Sequence, residues 1–384
     1  MERRSFLRAA TFGAGSVALG FTLRRDTLPQ AGPSPYGALR QPDGNGVMLP
    51  NGFTSRVIAR SGQPVVGTSH IWHGAPDGGA CFGDGDGWIY VSNSEIDYGA
   101  GGVSAVRLSS SGEITGARRL LSGTNRNCAG GATEWGTWLS CEEVDRGWVF
   151  ETHPQDGRDA IRRDALGRFR HEAAAADPAR KVIYLTEDEP DGCFYRFVPD
   201  QWGDLSSGTL QALATTRGGL SWKDVPDPYA RSTRTRHQLA ETIVFNGGEG
   251  ACFSHGTCYF TTKGDNRIWA YHARRHRLTL AYQETGAAAP LTGVDNITGG
   301  PAGDLFVAED SGDMQICVVT PDAVAAPFLR VTGHRWSEIT GPAFNPAGDR
   351  LYFSSQRGAA GDDFDGVTYE VFGPFRRSPR RAGS

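Results

Sequence analysis

The sequence predicts an all-β fold, a single six-bladed β-propeller, and three observations support that prediction. First, the 384 residues include 52 glycines and 21 prolines, a composition that favours tight turns over long helices. Second, a turn followed by an apolar strand with one aromatic residue recurs six times. Third, these aromatic residues recur at intervals near 47 residues, and a four-stranded propeller blade takes about 40 to 50 residues. They are Tyr90, Trp138, Tyr184, Tyr259, Phe306 and Tyr352.

These units account for residues 45–376 as one propeller domain, followed by a basic tail at 377–384. One interval between the aromatic residues is 75 residues long, so we place an insertion of roughly thirty residues in it, at about 204–233. Most of the marked strands are followed by a further apolar strand, as the third strand of a blade should be. Residues 52–60, GFTSRVIAR, can pair with the last blade and close the ring without an exposed edge.

The first residues resemble a twin-arginine export signal. Arg3 and Arg4 precede Phe6, and the apolar stretch 9–23 is glycine-rich and too short for a comfortable membrane span. We therefore exclude residues 1–30 from the fold and expect export through the twin-arginine translocase to the periplasm or the extracellular space. No membrane contact beyond the signal is expected. A basic N-terminus before a buried helix is the alternative, and retention of the signal as an anchor stays open because no A-x-A cleavage site is visible.

Charge and motifs exclude several classes of function. The net charge of -4 and the pI near 6.2 give no general attraction to nucleic acid or to an anionic membrane. The basic stretch RSTRTRHQ at 231–238 lacks interleaved aromatic residues and is interpreted as a solvated loop. No G-x-S-x-G motif lies outside the signal, HEAAAAD at 171–177 is not H-E-x-x-H, and no C-x-x-C pair predicts a zinc knuckle. The expected partner is a small molecule.

Acidic, amide and thiol side chains recur at two positions of the repeat. The first position lies about ten residues before the marked aromatic residue and holds Cys128, Glu172, Glu249, Asp295 and Asn296. The second lies about four residues after it and holds Glu142, Glu143, Glu187, Asp188, Lys263, Glu309 and Asp310. Because such positions return to the same end of an antiparallel hairpin, both sets should converge at one mouth of the channel.

So many carboxylates at one mouth require cations, because like-charge repulsion would otherwise raise their pKa values or separate the blades. Oxygen ligands from Asp, Glu and Asn suit Ca²⁺, whereas a Cys128 thiolate favours a softer or redox-capable transition metal beside it. The sequence therefore predicts a metal site at the channel mouth. The alternative is that these charges only solvate the rim of the propeller.

Several motifs, in this order along the chain, resemble the PhoX-type alkaline phosphatases. The segment NCAGG followed by WGTWLSCEE, within Asn127–Glu143, is long and specific, whereas DNI and AED would be weak alone. The other matching motifs are GRFRHE, EDEPDGCFYRF, EGACF and EITGPAF. The resemblance spans residues 50–360, approximately.

The resemblance implies an exported six-bladed propeller that carries ferric iron and calcium and releases phosphate from phosphomonoesters. It implies that Cys128 is an iron thiolate ligand. It also implies that four carboxylates bind metal, Glu172, Glu249, Asp295 and Glu338. Five more are expected to bind metal or to orient the ligands, Glu142, Glu143, Asp188, Glu309 and Asp310. In such a site the cations neutralise the charge of the transferred phosphoryl group, so no side-chain nucleophile is required.

The chain departs from the family pattern near this site. Gly247 stands where the family commonly has an arginine, which removes the fork expected to clamp phosphate. Lys263 can replace the arginine as a point charge, so Glu249 and Lys263 are the predicted catalytic residues. The alternative is that Lys263 is only a counter-ion of Glu249. Glu134 replaces a usual proline and Ser94 a histidine, and these changes bear on the substrate more than on the metals.

Three functional hypotheses follow. The leading one is an exported, metal-dependent phosphohydrolase. The second is a calcium-dependent lactonase or esterase, which the Cys128 thiol argues against because a calcium-only site has no use for a thiolate. The third is a non-catalytic propeller that keeps its metals for stability.

Overall fold

The computed structural model describes residues 28–286, 288–310 and 312–378. Within these ranges the chain forms β-strands and three short 3₁₀ helices, with no α-helix and hence no helix that could cross a membrane. The strands form six sheets, and the innermost strands of consecutive sheets contact one another around a closed ring. The all-β, six-bladed propeller predicted from the sequence is confirmed. The predicted export signal falls, up to residue 27, outside the described residues.

Three strands precede the first blade, β1 (Gln30–Ala31), β2 (Val47–Met48) and β3 (Thr54–Arg60). Blade 1 consists of β4 (Pro76–Asp84), β5 (Gly87–Ser94), β6 (Gly101–Leu108) and β7 (Ile114–Thr124). Blade 2 consists of β8 (Asn127–Ala132), β9 (Trp138–Glu142), β10 (Val149–Thr152) and β11 (Ile161–Arg162). Blade 3 consists of β12 (His171–Asp177), β13 (Val182–Glu187), β14 (Phe194–Gln201), β15 (Asp204–Thr216) and β16 (Gly219–Asp224).

Blade 4 consists of β17 (Gly248–Ser254), β18 (Thr257–Thr262), β19 (Arg267–His272) and β20 (Arg277–Gln283). Blade 5 consists of β21 (Val294–Gly299), β22 (Leu305–Glu309), β23 (Gln315–Val319) and β24 (Val324–Val331). Blade 6 contains β25 (Ile339–Phe344), β26 (Arg350–Ser355) and β27 (Val367–Phe372). The 3₁₀ helices are Asp164–Leu166, Thr235–His237 and Lys263–Asp265.

Ring closure joins the two ends of the domain. Strand β3 pairs antiparallel with β27 and so supplies the outer strand of blade 6. The predicted pairing of residues 52–60 with the last blade is therefore confirmed. Strands β1 and β2 extend blade 5 instead, because both pair with β24.

Blade 3 carries the extra residues of the chain. After its fourth strand, the chain adds β16 and a segment that runs to the start of β17, which together occupy residues 217–247. This segment starts later than the predicted 204–233, because β15 is the fourth strand that the other blades also have. Arg236 fastens the segment to the blade through ion pairs with Glu187 and Asp191, 3.0 and 2.8 Å long.

The hydrophobic core lies between neighbouring blades. Tyr90 and Tyr352, two of the marked aromatic residues, stack across the junction of blades 1 and 6 with ring centroids 4.7 Å apart. Phe194 of blade 3 stacks on Phe260 of blade 4 at 4.2 Å. Each such buried side chain contributes about 1.5–3 kcal/mol of hydrophobic stabilisation. These junctions hold the blades at a fixed spacing around the channel.

Every innermost strand has one β-bulge at the same place. In blade 1, Pro76 pairs with Ser94, and the next pair is Gly79 with Ser92. The inner strand therefore has one more residue between these two pairs than its neighbour. The same shift occurs in the other five blades. A bulge takes its residues out of the regular ladder and re-aims their side chains. The first residue of each bulge, such as Asp77 directly after Pro76 in blade 1, is therefore able to face the channel axis.

Below the bulges the channel is narrow and uncharged. The inner strands leave a cavity of about 290 Å³, lined mainly by small and apolar residues such as Gly79, Ala132, Ala175 and Phe344. No charged side chain is among the described residues that line it. Charged groups near the axis are therefore concentrated at the mouth.

Candidate metal centre

The bulges place a donor side chain from each of five blades at the channel mouth. We call these five residues the inner ring: Asp77, Cys128, Glu172, Glu249 and Asp295. The corresponding residue of blade 6 is Gly341, which offers no side chain. The four carboxylates are no more than 6% exposed. An outer ring follows the second strand of blades 1 to 5 in the same register: Glu95, Glu143, Asp188, Lys263 and Asp310.

Donor atoms of the two rings meet in three groups, and within each group all of these atoms lie within 4.8 Å of one another. The groups are Asp77 with Glu95 and Cys128, Cys128 with Glu143 and Glu172, and Glu172 with Glu249 and Asp295. Cys128 and Glu172 each belong to two groups. The donors therefore form one continuous path across five blades.

Four cationic side chains alternate with the carboxylates around the mouth. The ion pairs run in the order Arg357, Glu95, Arg126, Glu143, Arg170, Asp188, Lys263 and Glu249. Lys263 Nζ, for example, lies 2.6 Å from Glu249 Oε1 and 3.0 Å from Asp188 Oδ2. The cations keep 29–39% of their side-chain surface exposed. They therefore line the solvent side of the mouth.

The cations do not reach the deepest carboxylate. Both side-chain oxygens of Glu172 are buried without a hydrogen-bond partner or an ion pair among the described residues. An isolated buried carboxylate is strongly unfavourable unless a cation or a proton compensates it. The Cys128 Sγ lies 3.5 Å from Asp77 Oδ2, so thiol and carboxylate share one small space. This donor set fits a transition metal at the thiol and a hard cation such as Ca²⁺ among the carboxylates.

Burial and mutual repulsion raise the pKa values of these acidic groups. Burial, with Glu95 nearby, raises the pKa of Asp77 to about 7. Burial and the neighbouring Asp188 raise the pKa of Glu143 to about 8. Burial and nearby carboxylates raise four further pKa values well above the ordinary range, those of Glu172, Glu249, Asp295 and Glu338. Metal ions that bind here would displace protons, as they generally do from such ligands.

Residues 90–147 and 144–257 match the family model described as alkaline phosphatase PhoX. This match supports the predicted resemblance to the PhoX-type alkaline phosphatases. It also supports the enzyme class that the sequence predicted, a phosphoric monoester hydrolase. The matched region runs from β5 in blade 1 to the start of β18 in blade 4. It contains Cys128, Glu172 and Glu249 of the inner ring.

Solved structures share the PhoX-like fold. PhoX from Pseudomonas fluorescens, solved in complex with vanadate, a transition state analogue, has a TM-score of 0.69 at 17% identity over 90% of this chain and 98% of that one. A Bacteroides thetaiotaomicron protein of unknown function has a TM-score of 0.54 at 9% identity over 83% and 76% of the two chains. At these identities the likeness establishes the fold. No curated protein matches the chain by sequence.

The structure brings most of the residues predicted for the PhoX-type site to the mouth. Five of them supply atoms to the three donor groups, Cys128, Glu143, Glu172, Glu249 and Asp295. Asp188 and Lys263 join through their ion pairs. Asp310 and Glu338 lie close enough for their charges to interact with each other and with Asp295.

Three of the predicted ligands have side chains that point away from the donor groups. Glu142, Glu187 and Glu309 occupy the last regular pair of the second strand, one residue before the outer ring. Because neighbouring residues of a strand face opposite sides, their carboxylates turn away from the donors. Glu142 accepts hydrogen bonds from the Asn125 and Trp148 N–H groups, and the other two are bound in equivalent ways within their blades.

Asn296 also differs from its predicted role as a ligand. Its side-chain Nδ2 donates to Asp295 Oδ1 at 2.9 Å, and its Oδ1 accepts the Gly341 N–H at 2.6 Å. Both functional groups of the amide are therefore used. In this structure Asn296 orients the Asp295 carboxylate and ties blade 5 to blade 6.

The sequence reasoning missed five members of the site, Asp77, Glu95, Arg126, Arg170 and Arg357. A signal for the first was present in PDGGA at 76–80, because an acid or thiol followed by small residues also occurs in NCAGG and EGAC. The arginines also follow a pattern. Position two before the inner-ring residue is arginine in blades 2 and 3 but Gly247 in blade 4.

Proposed function

We propose that this protein is an exported PhoX-type phosphatase that hydrolyses phosphomonoesters at a cluster of ferric iron and calcium ions in the channel mouth. The main support is the unpartnered Glu172 carboxylate, which belongs both to a group with a thiol and to a group of carboxylates alone. The first group suits iron and the second suits calcium. The proposed export by the twin-arginine translocase, to the periplasm or beyond, is supported by Arg3, Arg4 and the family resemblance.

The inner ring would hold the metals, with Cys128 on iron and with Glu172, Glu249 and Asp295 among the remaining ligands. When bound, the ions supply positive charge for the phosphoryl oxygens and lower the pKa of water. The chain keeps the donors buried and at a spacing that the blades fix. Its uncharged lower channel offers a phosphate no cation, which keeps an anionic substrate at the mouth.

The cationic side chains would hold the substrate. Arg126, Arg170, Lys263 and Arg357 each pair with a carboxylate of the rings and remain partly exposed. Bound metal ions would neutralise the charges of those carboxylates in place of the cationic side chains. The cations then become available to a phosphate dianion, which a guanidinium can bind through two parallel hydrogen bonds.

The geometry around Gly247 supports the predicted role of Lys263. A Cβ at position 247 would lie 3.1 Å from the Lys263 Cγ and 3.3 Å from Asp188 Oδ1, and the glycine has φ near +69°. The lysine stem therefore packs where a side chain at 247 would begin. We assign to Lys263 the phosphate-binding role that an arginine at position 247 has in the family.

Replacing Lys263 by alanine is expected to weaken phosphate binding about 10- to 100-fold, because hydrogen bonds to charged groups contribute about 1.5–3 kcal/mol. The effect should appear in KM and in the inhibition constant of inorganic phosphate. Steady-state hydrolysis of p-nitrophenyl phosphate with phosphate as competitor measures both.

The matched control is Lys223→Ala, which removes a lysine from β16, away from the mouth. It should leave both constants unchanged. If Lys263→Ala also leaves the phosphate inhibition constant unchanged, Lys263 is only a counter-ion for Glu249 and Asp188.

The proposed function is tested by elemental analysis of the purified protein together with p-nitrophenyl phosphate hydrolysis before and after EGTA. Iron and calcium with chelator-sensitive hydrolysis are expected, with inhibition by vanadate, the analogue held by the Pseudomonas fluorescens enzyme. Calcium without iron would favour the lactonase hypothesis. Bound metals without hydrolysis would mean that the site has lost its activity.

A further inference from the structure

Three buried polar side chains occupy the same register position in blades 1, 3 and 4. Asn93, Thr186 and Thr261 each directly precede the last regular pair of the second strand. Each is no more than 1% exposed. They therefore lie one strand behind the inner ring, at the height of its bulges.

Each of these side chains hydrogen-bonds the main chain of the next blade at an inner-ring residue. The amide of Asn93 donates to the Cys128 carbonyl at 2.8 Å. The Thr186 hydroxyl donates to the Glu249 carbonyl at 2.6 Å, and the Thr261 hydroxyl lies 2.5 Å from the Asp295 carbonyl. Carbonyls at a bulge are removed from the regular ladder and need such partners.

The two threonines also contact the bulge of their own blade. Thr186 Oγ1 accepts the N–H of Ala173, the residue after Glu172, at 2.9 Å. Thr261 Oγ1 lies 3.3 Å from the carbonyl of Gly250, the residue after Glu249. One hydroxyl thus connects Glu172 to Glu249, and the next connects Glu249 to Asp295. These are the three members of the all-carboxylate donor group.

Blade packing does not require these hydrogen bonds. The same position is Cys141 in blade 2 and Ala308 in blade 5, and neither side chain is a strong donor. Blade 5 precedes blade 6, whose bulge holds Gly341 instead of a donor. The hydroxyls therefore occur where two successive blades both supply members of the carboxylate group.

We propose that Thr186 and Thr261 are positioning residues that set the spacing of Glu172, Glu249 and Asp295 before a cation binds. This inference rests on the proposed metal-binding function of that group. The threonines fix the main chain at each carboxylate, so the three charges are held together against their repulsion. Without the hydroxyls the carboxylates can separate, and the cation must then draw them together at a cost in affinity.

The test uses Thr186→Val and Thr261→Val, which keep the side-chain shape and remove only the hydroxyl. Calcium alone is titrated calorimetrically into EGTA-treated protein from which the chelator has been removed. Each valine variant is expected to bind calcium about 10- to 100-fold more weakly, the usual cost of losing a group that orients a metal ligand. Thr186→Ser and Thr261→Ser, which retain the hydroxyl, should recover most of the affinity.

Thr152→Val is the matched control, because this equally buried hydroxyl donates to the Trp138 carbonyl, outside the donor groups. It should lower the free energy of unfolding without changing calcium affinity. Valine variants at 186 and 261 that bind calcium like Thr152→Val would overturn the inference and leave the proposed function standing. An unaltered protein that binds no calcium would remove both, and valine variants that cannot fold would show that the hydroxyls serve the fold.

Discussion

Replacing Glu172 by glutamine is expected to lower the kcat for p-nitrophenyl phosphate by at least about 100-fold, because even partners that merely orient metal ligands contribute 10- to 100-fold. Glu172 has a larger part, since it joins the thiol group to the carboxylate group and has no other partner for its oxygens among the described residues. The substitution removes a buried acidic group that neighbouring carboxylates repel, and it keeps the shape of the side chain. The melting temperature of the metal-free protein should therefore stay the same or rise.

The control is Glu309→Gln, a change of the same kind at a glutamate that is buried to a similar degree. Glu309 accepts the Thr292 N–H at 3.0 Å, and a glutamine oxygen can do the same. Activity close to that of the unaltered protein is expected. Full activity in Glu172→Gln would place the metals elsewhere, and equal losses in both variants would favour the ligand set predicted from the sequence.

The metal-free protein is expected to become less stable as pH rises. The pKa values of Asp77 and Glu143 are about 7 and about 8 in the folded chain, whereas ordinary carboxyl pKa values are about 4. Between these values the folded state binds more protons than the unfolded state, so the free energy of unfolding falls with rising pH. A decrease in melting temperature of roughly 5 °C or more is expected between about pH 5.5 and about pH 8.5.

The metal-loaded protein provides the comparison. Bound cations compensate the carboxylates, so the decrease should largely disappear and the two forms should differ most at the higher pH. Calorimetry of EGTA-treated and untreated samples over the same pH range measures this. Parallel pH profiles for the two samples would contradict the assignment of the cations to these carboxylates.

The architecture could be predicted because propeller blades repeat their pattern. One aromatic residue per blade was enough to count six units, and the need to close the ring predicted the pairing of residues 52–60 with the last blade. Cys128, Glu172, Glu249 and Asp295 were found because each lies ten to twelve residues before the marked aromatic residue of its blade. Both inferences need only the local sequence and its repeat.

The differences between the predicted and the observed positions arise from register, which composition does not fix. Asp77 lies thirteen residues before Tyr90, whereas Cys128 lies ten before Trp138, so a constant spacing found the second and missed the first. Glu142 was taken for a ligand beside Glu143. A displacement of one residue along a strand moves a side chain to the opposite face, so only the pairing of β8 with β9 shows which of the two faces the donors.

The cations were missed for another reason. Arg126 and Arg170 are ordinary charged residues in the sequence, and only the ring of blades brings them between carboxylates that come from different blades. Arg357 reaches Glu95 across the junction between the last blade and the first. Contacts between residues so far apart along the chain have no local signal.

Because β3 completes blade 6, the propeller has an order of assembly. The last blade lacks its outer strand until the C-terminal strand β27 has been made and meets a segment synthesised near the start. Loop closure over most of the chain is slow compared with the formation of a single blade. The donor groups join consecutive blades from 1 to 5, and the pairing of β3 with β27 closes the ring that holds those blades around one axis. If the metals are acquired in the cytoplasm, the proposed export would have to carry the closed ring as a folded chain, as the proposed twin-arginine route would.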